Sequence, residues 1–544
     1  MRFLIHVNAA FVLAMGSLSA ADLVEAPQLA AQIDRHLDER MKSEGVRPAE
    51  AIDDEVFLRR VTLDLAGRIP TVAERQAFLD PGDADRTEKR QTLVQRLLNS
   101  PDFPYHTRNQ LDILLLLRDE HNDKWREYLL EATRDNRGWD RIFQEVFLPE
   151  DTLRDDVRPV SFVKQRLNDL DALTNESSVK WLGVNIACAK CHDHPLVDDW
   201  TQDHYYGMTS FFKRTFRTKK GFLSERFEGL PKYTDIYGDE QQPGLMFLTG
   251  DKVEVPPLTL VGDELKKVQD NIKKSEKDEK ADDPPRPDFR PRAKFVELAL
   301  ADNEKRFFSK NLINRLWARI FGRGLVHPLD QMHSQNKPSH PALLDDLAAD
   351  IQASGYDMKR LVHALVLTRA YARSIRPENS SRTSRPELFA VSIPRPLSPR
   401  QLSLSFRIAA TSPEKMTGLV DSDGWSDQRT QLEKQAEGVA RRLTIPDDGF
   451  QVPVTEALWF SNNQSIQNDL LNGSNDRLVG FLKGIDSDSE AVTAAFTSVL
   501  NRHPAKQESK VFEQYLSDRG ERREDGLKQV VWALLATPEF RFNH

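Results

Sequence analysis

The sequence predicts a mainly α fold, with two helical domains joined by a small β-containing middle segment and a charged linker. Apolar residues recur at helical spacing through most of the chain after residue 29, but this periodicity fades beyond residue 212 and returns near residue 294. Between these regions lies a stretch rich in charged residues and proline, which is typical of a solvated linker. The predicted divisions are a leader at 1–21, a helical domain at 22–212, a β-rich connector at 213–262, a linker at 263–293 and a second helical domain at 294–544.

The first residues have the composition of a signal peptide. Arg2 supplies the positive region, residues 3–15 form a short apolar run, and Ser19 and Ala21 suit the −3 and −1 positions of a cleavage site. The apolar run is too short for a comfortable transmembrane span. We therefore expect export to a periplasmic or extracellular location, with no stable membrane span after cleavage.

The first helical domain is predicted from segments with apolar faces. Thr71 followed by Glu74 has the arrangement of a capping box, in which the two side chains exchange hydrogen bonds with the backbone at the start of a helix. Residues 111–117 are apolar on nearly all sides, which predicts a buried helix. The other helical faces are marked by Ile33, Leu37 and Met41, by residues 56–65, and by Leu93, Leu97 and Leu98.

The chain has only two cysteines, Cys188 and Cys191, and the second is followed directly by His192. The order Cys-x-x-Cys-His is the attachment signature of c-type haem. Two thiols must reach the two vinyl groups on one edge of the porphyrin, which requires them to lie about one helical turn apart, and the next residue brings an imidazole under the iron. We therefore predict covalent haem c on the two cysteines, with His192 as the proximal iron ligand.

Three alternatives to haem stay open for this motif. The cysteines could form a redox or structural disulfide, they could bind zinc or another metal together with His192 or His194, or the motif could hold no cofactor. Redox motifs of this kind usually open a helix after a strand, whereas residues 179–186 look like a helix that leads into the cysteines. A structural zinc site typically takes four ligands from two separated clusters, and a second cluster is missing here.

Aromatic side chains follow the cysteines closely. Trp200, Tyr205 and Tyr206 are candidates for the wall of a cofactor pocket, because haem pockets need large apolar contacts and a few placed hydrogen-bond donors. The same residues could instead belong to an ordinary core.

The second helical domain contains polar residues next to predicted turns, where side chains can converge on a pocket or cap helices. A helix is expected to start at Ser339 and Pro341, with leucines and an isoleucine pointing inward over residues 343–351. The candidate site residues of this domain are Arg315, Arg323, Asp330, His333 and His340.

Several stretches together resemble a known family. Residues 188–195, with 200–207 and Phe211-Phe212, look like the planctomycete cytochrome-c-like family of exported proteins, and residues 58–71 are similar to its opening signature. The family usually carries a second helical domain of unknown function, whose motifs resemble residues 314–317, 321–326 and 338–341. The resemblance implies haem attachment and export, and leaves the activity open.

Three residues are candidates for a second iron ligand. Met208 stands where the family more often has leucine, and His204 stands where a carboxylate or another polar residue is expected. His194 matches the family pattern but lies only two residues from His192, so the two cannot easily bind opposite faces of one iron. A hydrogen bond to a propionate or a loop, or a different metal, suits His194 better, and a five-coordinate iron is a further expectation.

The leading functional prediction is an exported haem-c protein that acts in electron transfer or as a redox subunit. Its expected partner is a redox protein or an associated exported enzyme, whereas the net charge of −8 argues against nucleic acid. The first alternative is an enzyme with its site around His333 and His340, acting on polysaccharide, with a structural disulfide or metal at the cysteines. The second alternative is a non-catalytic binding scaffold.

Overall fold

The computed structural model describes residues 23–80, 85–116, 123–153, 157–195, 197–235, 237–377, 385–420, 422–446 and 451–544. The predicted signal peptide and Leu117, at the end of the predicted buried helix, lie outside the described residues. Helices make up 59% of the structure, and each sheet within the described ranges has two strands, which confirms the mainly α prediction.

The first half of the chain is helical up to residue 210. Its helices are α1 Ala26–Ser43, α2 Asp54–Leu65, α3 Val72–Leu79, α4 Arg86–Asn99, α5 Asp102–Leu116, α6 Asp123–Arg134, α7 Trp139–Phe147, α8 Pro149–Thr152, α9 Ser161–Arg166, α10 Leu170–Ser177 and α11 Gln202–Ser210.

Three antiparallel strand pairs and one helix follow. They are β1 Thr215–Arg217 with β2 Leu223–Glu225, β3 Tyr233–Thr234 with β4 Glu240–Gln241, β5 Leu245–Met246 with β6 Lys252–Val253, and α12 Gly262–Lys277.

The remaining chain is again mainly helical. It consists of α13 Pro291–Ala301, α14 Phe307–Phe321, α15 Pro341–Ala353, α16 Met358–Leu367, β7 Arg395–Pro396, α17 Pro399–Ala410, α18 Pro413–Met416, α19 Trp425–Ala440, α20 Val454–Asn462, α21 Gln464–Leu470, α22 Leu478–Lys483, α23 Asp488–Val499, α24 Lys506–Ser517, α25 Arg523–Leu535, α26 Pro538–Arg541 and β8 Phe542–Asn543.

Local signals in the sequence explain several helix starts. The Thr71 amide donates to the Glu74 carboxylate at 2.9 Å and the Glu74 amide to the Thr71 hydroxyl at 3.2 Å, so the predicted capping box starts α3. Helix α15 starts at Pro341 as predicted, although His340 rather than Ser339 is its N-cap residue. The predicted helix over 179–186 is wrong beyond Leu182, because Gly183 adopts a left-handed φ of 72°.

Apolar residues form two clusters that do not follow the chain order. The first contains residues from Ala26 to Ala390. In its middle, the ring centroids of Trp181 and Phe143 lie 5.0 Å apart, and those of Phe143 and Phe295 lie 5.7 Å apart. Both predicted helical domains contribute to it. The predicted limits at residues 213, 263 and 294 therefore divide the chain into successive segments. That these segments are separate domains stays a prediction.

The second cluster is built mainly from Leu397 to Phe540, with Leu63 and Ile69 from the first part of the chain. No helix in the described part of the chain is long and apolar enough to cross a bilayer.

A network of buried ionic side chains links the first apolar cluster to the second. The carboxylate of Asp102 accepts hydrogen bonds from Arg68 at 2.8 Å, from Arg429 at 2.7 Å and from the Trp425 indole at 3.0 Å. Arg429 also donates to Glu433 at 3.0 Å. Because these charges are buried and paired, they tie α5 and the segment before α3 to α19.

Candidate functional site

The two cysteines lie at a short 3-10 turn, Ala187–Lys190, and just after it. Both thiols are free and both residues are exposed, whereas Ala189 between them is fully buried in the first apolar cluster. The turn is therefore anchored by its middle residue and presents the cysteines to solvent.

A carboxylate on α10 holds the turn in place. Asp171 forms an ion pair with Lys190, the residue before Cys191, and accepts a hydrogen bond of 2.6 Å from the Tyr205 hydroxyl on α11. Burial alone would raise the pKa of Asp171, but the hydrogen bonds from Lys190 and Tyr205 outweigh it and lower the pKa. Gln202 adds a side-chain hydrogen bond of 3.3 Å to the Lys190 carbonyl. The turn is thus docked on two helices.

His192 is exposed, and its ring is oriented by a hydrogen bond. Its Nδ1 atom lies 2.7 Å from the carbonyl oxygen of Asp193. A carbonyl can only accept, so Nδ1 is the donor of this hydrogen bond and Nε2 is the ring nitrogen left to bind a metal. A hydrogen bond from Nδ1 to a carbonyl is the usual orientation device for a histidine that ligates a metal through Nε2.

An aromatic stack lies beside Cys191. Tyr206 is half-buried and stacks on Tyr233 with ring centroids 4.2 Å apart and planes within 2°. Burial raises the pKa of Tyr206, and the nearby Cys191 adds to this rise while Lys190 opposes it. Tyr206 thus lies near Cys191 in an aromatic stack, whereas Tyr205 is buried against Asp171, and their role in a pocket wall stays a prediction.

The segment that leads into the turn is held by residues of the predicted second domain. The Asp330 carbonyl accepts from the Asn185 amide at 2.8 Å, and its carboxylate accepts from the Asn185 side chain at 3.2 Å. Arg315 on α14 donates to the Val179 carbonyl at 2.5 Å, and burial lowers its pKa to about 10 although Asp330 opposes the shift. The structure thus brings Arg315 and Asp330 to the approach of the cysteine motif.

Gly183 lies at the crossing of these two segments. With φ at 72°, a Cβ atom here would lie 2.9 Å from Oδ1 of Asn311 and 3.0 Å from the sulfur of Met332. Asn311 also donates to the Lys180 carbonyl at 2.8 Å. Glycine is therefore required both by the backbone conformation and by the close approach.

A cleft of about 440 Å³ lies between α11 and the loop that follows α14. The amide and hydroxyl of Ser334 donate to the Asp199 carboxylate at 2.8 and 2.6 Å, which fastens the loop to the segment before α11. The lining consists of Asp199, Trp200, His204, Leu248, Thr249, Glu304, Lys305, Phe307, Lys310, Val326, Met332, His333, Ser334, Asn336, Pro338 and Leu344.

Two histidines of this cleft have defined environments. Nδ1 of His204 accepts from the Thr201 amide at 3.3 Å, so the neutral ring carries its proton on Nε2. Nδ1 of His333 is buried and has no hydrogen-bond partner within the described ranges. Burial lowers the pKa of both rings, and His194 adds to the lowering at His333. In the described part of the chain, no three His, Cys, Asp or Glu side chains are grouped as a metal site.

Three predicted candidates lie elsewhere. Met208 is fully buried in the first apolar cluster. His340 packs 5.8 Å from the Phe389 ring, and burial together with the nearby Arg40 lowers its pKa to about 4. Arg323 lies close enough to lower the pKa of Glu387, although the Arg385 hydrogen bond is the larger cause there.

Sequence reasoning missed several of the residues that support the site. Asp171, Asn185 and Asp199 act through partners that are far away in the chain, and nothing local marks them. Asn311 could have been found, because it stands one helical turn before Arg315, a spacing at which side chains on a helix interact, and it accepts from Arg315 at 2.9 Å.

Two regions of the chain match family models. Residues 32–217 match PSCyt2, described as a protein of unknown function (DUF1549), and residues 291–448 match PSD1, described as a protein of unknown function (DUF1553). No curated protein and no solved structure matches the chain. The first region contains the cysteine turn and the second contains α14 and the loop with His333, so the site lies where the two regions meet.

Proposed function

We propose that the protein is an exported c-type haem protein that acts in electron transfer or as the redox subunit of a partner enzyme. The observation that carries the proposal is the cysteine turn itself. Cys188 and Cys191 are free and exposed on an anchored turn, and the neighbouring His192 has Nε2 left to bind a metal. The donor set therefore fits covalent haem.

Each residue of the motif has a separate task. The thiols of Cys188 and Cys191 would hold the haem covalently, each by adding S–H across one vinyl group. His192 would supply Nε2 to the iron, with Nδ1 held by the Asp193 carbonyl. Tyr206 offers an aromatic wall beside Cys191. When bound, the haem supplies one-electron transfer at its iron.

Export and the type of partner belong to the same proposal. A signal peptide at residues 1–21 would deliver the chain to the compartment in which haem is attached to c-type apoproteins. The partner would be a redox protein or an exported enzyme, since a net charge of −8 does not favour nucleic acid. The name cytochrome-c-like is consistent with the match of residues 32–217.

Haem attachment can be tested by expressing the full chain in a host with haem-attachment machinery and recording the pyridine haemochrome spectrum. The wild type should give c-type bands. Cys188→Ala should retain one vinyl group, which moves the α band to longer wavelength, and Cys188→Ala with Cys191→Ala should lose covalent haem altogether. His192→Ala, which lacks the proposed proximal ligand, should carry less haem than the wild type. His503→Ala is its control and should carry as much haem as the wild type, because His503 is exposed and remote from the motif in sequence.

Other outcomes would sink the haem proposal. A colourless wild-type protein with both thiols joined in a disulfide would favour the structural or redox disulfide, and stoichiometric zinc would favour the metal site. Haem retained by the double cysteine variant would show that these thiols do not attach it.

A further inference from the structure

One short loop holds the segment with the cysteine turn at both ends. Residues 330–334, which follow α14, form what we call the clamp loop. Before the turn, the Asn185 amide donates to the Asp330 carbonyl at 2.8 Å. After the turn, the amide and hydroxyl of Ser334 donate to the Asp199 carboxylate at 2.8 and 2.6 Å. The cysteines therefore lie between two points that the same loop fixes.

The contact between Asp330 and Asn185 reaches the first residue of the turn. Nδ2 of Asn185 donates to the Asp330 carboxylate at 3.2 Å, and Oδ1 of the same side chain accepts from the Ala187 amide at 3.1 Å. An ionised carboxylate can only accept, so it keeps the Asn185 side chain with its nitrogen towards Asp330 and its oxygen towards Ala187. Asp330 thus acts, through one side chain, on the amide at which the turn begins, next to Cys188.

The conformation of the turn favours thiols on one common side. Ala187–Lys190 is a 3-10 helix, in which side chains three positions apart are eclipsed, and Cys191 continues it as a C-cap residue with right-handed helical φ and ψ. The Ala189 amide donates to the Ile186 carbonyl at 3.0 Å. Because Cys188 and Cys191 are three positions apart, this closed turn directs both thiols to the same side.

The clamp loop has supports of its own. Asn314 on α14 is buried, and it donates to the Val326 carbonyl and accepts from the Val326 amide, both at 2.9 Å. The Asn336 side chain donates to the Gln331 carbonyl at 2.9 Å and to the His327 carbonyl at 3.3 Å. None of these contacts involves the cysteine turn, so the loop can serve as a fixed reference for it.

We propose that the region of residues 291–448 positions the cysteine turn through the clamp loop, with Asp330 as the positioning residue and Ser334 as a second support. Asp330 acts through Asn185 rather than on the thiols directly. The inference concerns the conformation of the turn, and it holds whether the thiols take haem, a metal or each other. The second matched region thereby has a task at a site that lies in the first.

The first test is hydrogen exchange at the Ala189 amide in the full-length apoprotein, because this amide is hydrogen-bonded only while the turn is closed. Asp330→Ala should accelerate the exchange about 10-fold, since the turn loses a support that depends on a hydrogen bond to a charged acceptor. Asp330→Asn keeps a side-chain oxygen that can accept from Asn185, and should exchange nearly as the wild type does.

The second test measures how readily the two thiols of the apoprotein join. Oxidised glutathione takes up two electrons and two protons and becomes two thiols, while Cys188 and Cys191 lose them and form a disulfide. The equilibrium constant increases with the fraction of time that the two thiols face each other. Asp330→Ala should lower this constant about 3- to 10-fold, because an open turn no longer directs both thiols to one side.

Two further variants accompany both measurements. Ser334→Ala should have a smaller effect on the thiol equilibrium than Asp330→Ala, because the Ser334 amide still donates to Asp199. Asp346→Ala is the control, since Asp346 is exposed and pairs with His36 at the surface, and it should change neither result.

A double-mutant cycle separates positioning from a general effect on stability. Asn185→Ala removes both the partner of Asp330 and the acceptor for the Ala187 amide, so it should accelerate the exchange at least as much as Asp330→Ala. In the Asn185→Ala background, Asp330→Ala should add nothing. If Asp330 served only as a charge near Arg315, its removal would have the same effect in both backgrounds.

Several outcomes would overturn the proposal. They are unchanged exchange of the Ala189 amide in Asp330→Ala, additive effects of the two substitutions, and a thiol equilibrium constant that stays the same or rises. A wild type that attaches no haem would contradict the proposed function and would leave these results, which are all obtained on the apoprotein, as they are.

Discussion

At the scale of residues, Asp102 joins two buried arginines in one network. Its carboxylate has no exposed surface and accepts hydrogen bonds from two arginines, Arg68 and Arg429, and from the Trp425 indole. Desolvated charges of this kind are stable only while all partners remain. The network can therefore be weakened through a single side chain.

Asp102→Ala should lower the free energy of unfolding by about 3–5 kcal/mol, because it leaves two buried guanidinium groups without their shared carboxylate. Chemical denaturation monitored by circular dichroism measures the loss. Asp346→Ala is the matched control, since Asp346 is exposed and pairs with His36 at the surface, and it should cost less than about 1 kcal/mol. Similar losses in the two variants would contradict the importance given to burial.

At the scale of elements, Gly183 decides how the approach to the cysteine turn meets α14. It ends the turn Ser178–Leu182 in a left-handed conformation, and its neighbour Val184 forms a β-bridge with Gln331. The crossing leaves no room for a Cβ atom, because Asn311 and Met332 lie against it. The position of the cysteine turn therefore depends on one glycine outside the motif.

Gly183→Ala should destabilise the protein by backbone strain of about 1–2 kcal/mol and by a further 1–3 kcal/mol, roughly, for crowding. Gly45→Ala measures the backbone strain alone, since Gly45 has φ of 64° and an added Cβ atom would have no neighbour within 4 Å. Hydrogen exchange at the amides of Val184 and Asn185 should accelerate only in the Gly183 variant. Equal destabilisation by both substitutions would show that crowding is unimportant.

The elements also show what the sequence could predict. The capping box of Thr71 and Glu74 and the start of α15 at Pro341 depend on neighbours within four residues, and both are confirmed. The pairing of Asn185 with Asp330 joins residues 145 positions apart, and no periodicity or spacing encodes it. The cysteine motif could therefore be recognised in the sequence, whereas the cleft between α11 and the loop after α14 could not be predicted from it.

At the scale of the whole molecule, the two apolar clusters are joined through buried carboxylates that stay ionised. Burial would raise the pKa of Glu433 and Glu74, but Arg108 and Arg429 around the first, and Arg68 beside the second, lower each pKa from 4.5 to about 2. A carboxylate whose pKa is lower in the folded state stabilises that state above its unfolded pKa.

Stability should therefore fall as the pH drops below about 4.5 and continue to fall towards about 2, because protonation then removes this contribution. Thermal unfolding recorded between neutral pH and the acid limit measures the slope. Glu433→Gln should have a lower Tm at neutral pH, and its difference from the wild type should shrink in acid. Glu521→Gln, at an exposed position, should follow the wild type throughout. A constant difference for Glu433→Gln would contradict the assignment.

The pairing of β7 with β8 has a consequence for the time at which the fold can be completed. Next to this pair, Arg60 on α2 donates to the His544 carbonyl at 3.2 Å, across 484 positions of the chain, and Arg59 donates to the Phe540 carbonyl. Contacts between such distant segments form late, because a long loop must close first. During synthesis α2 cannot complete these contacts until residues 540–544 have left the ribosome.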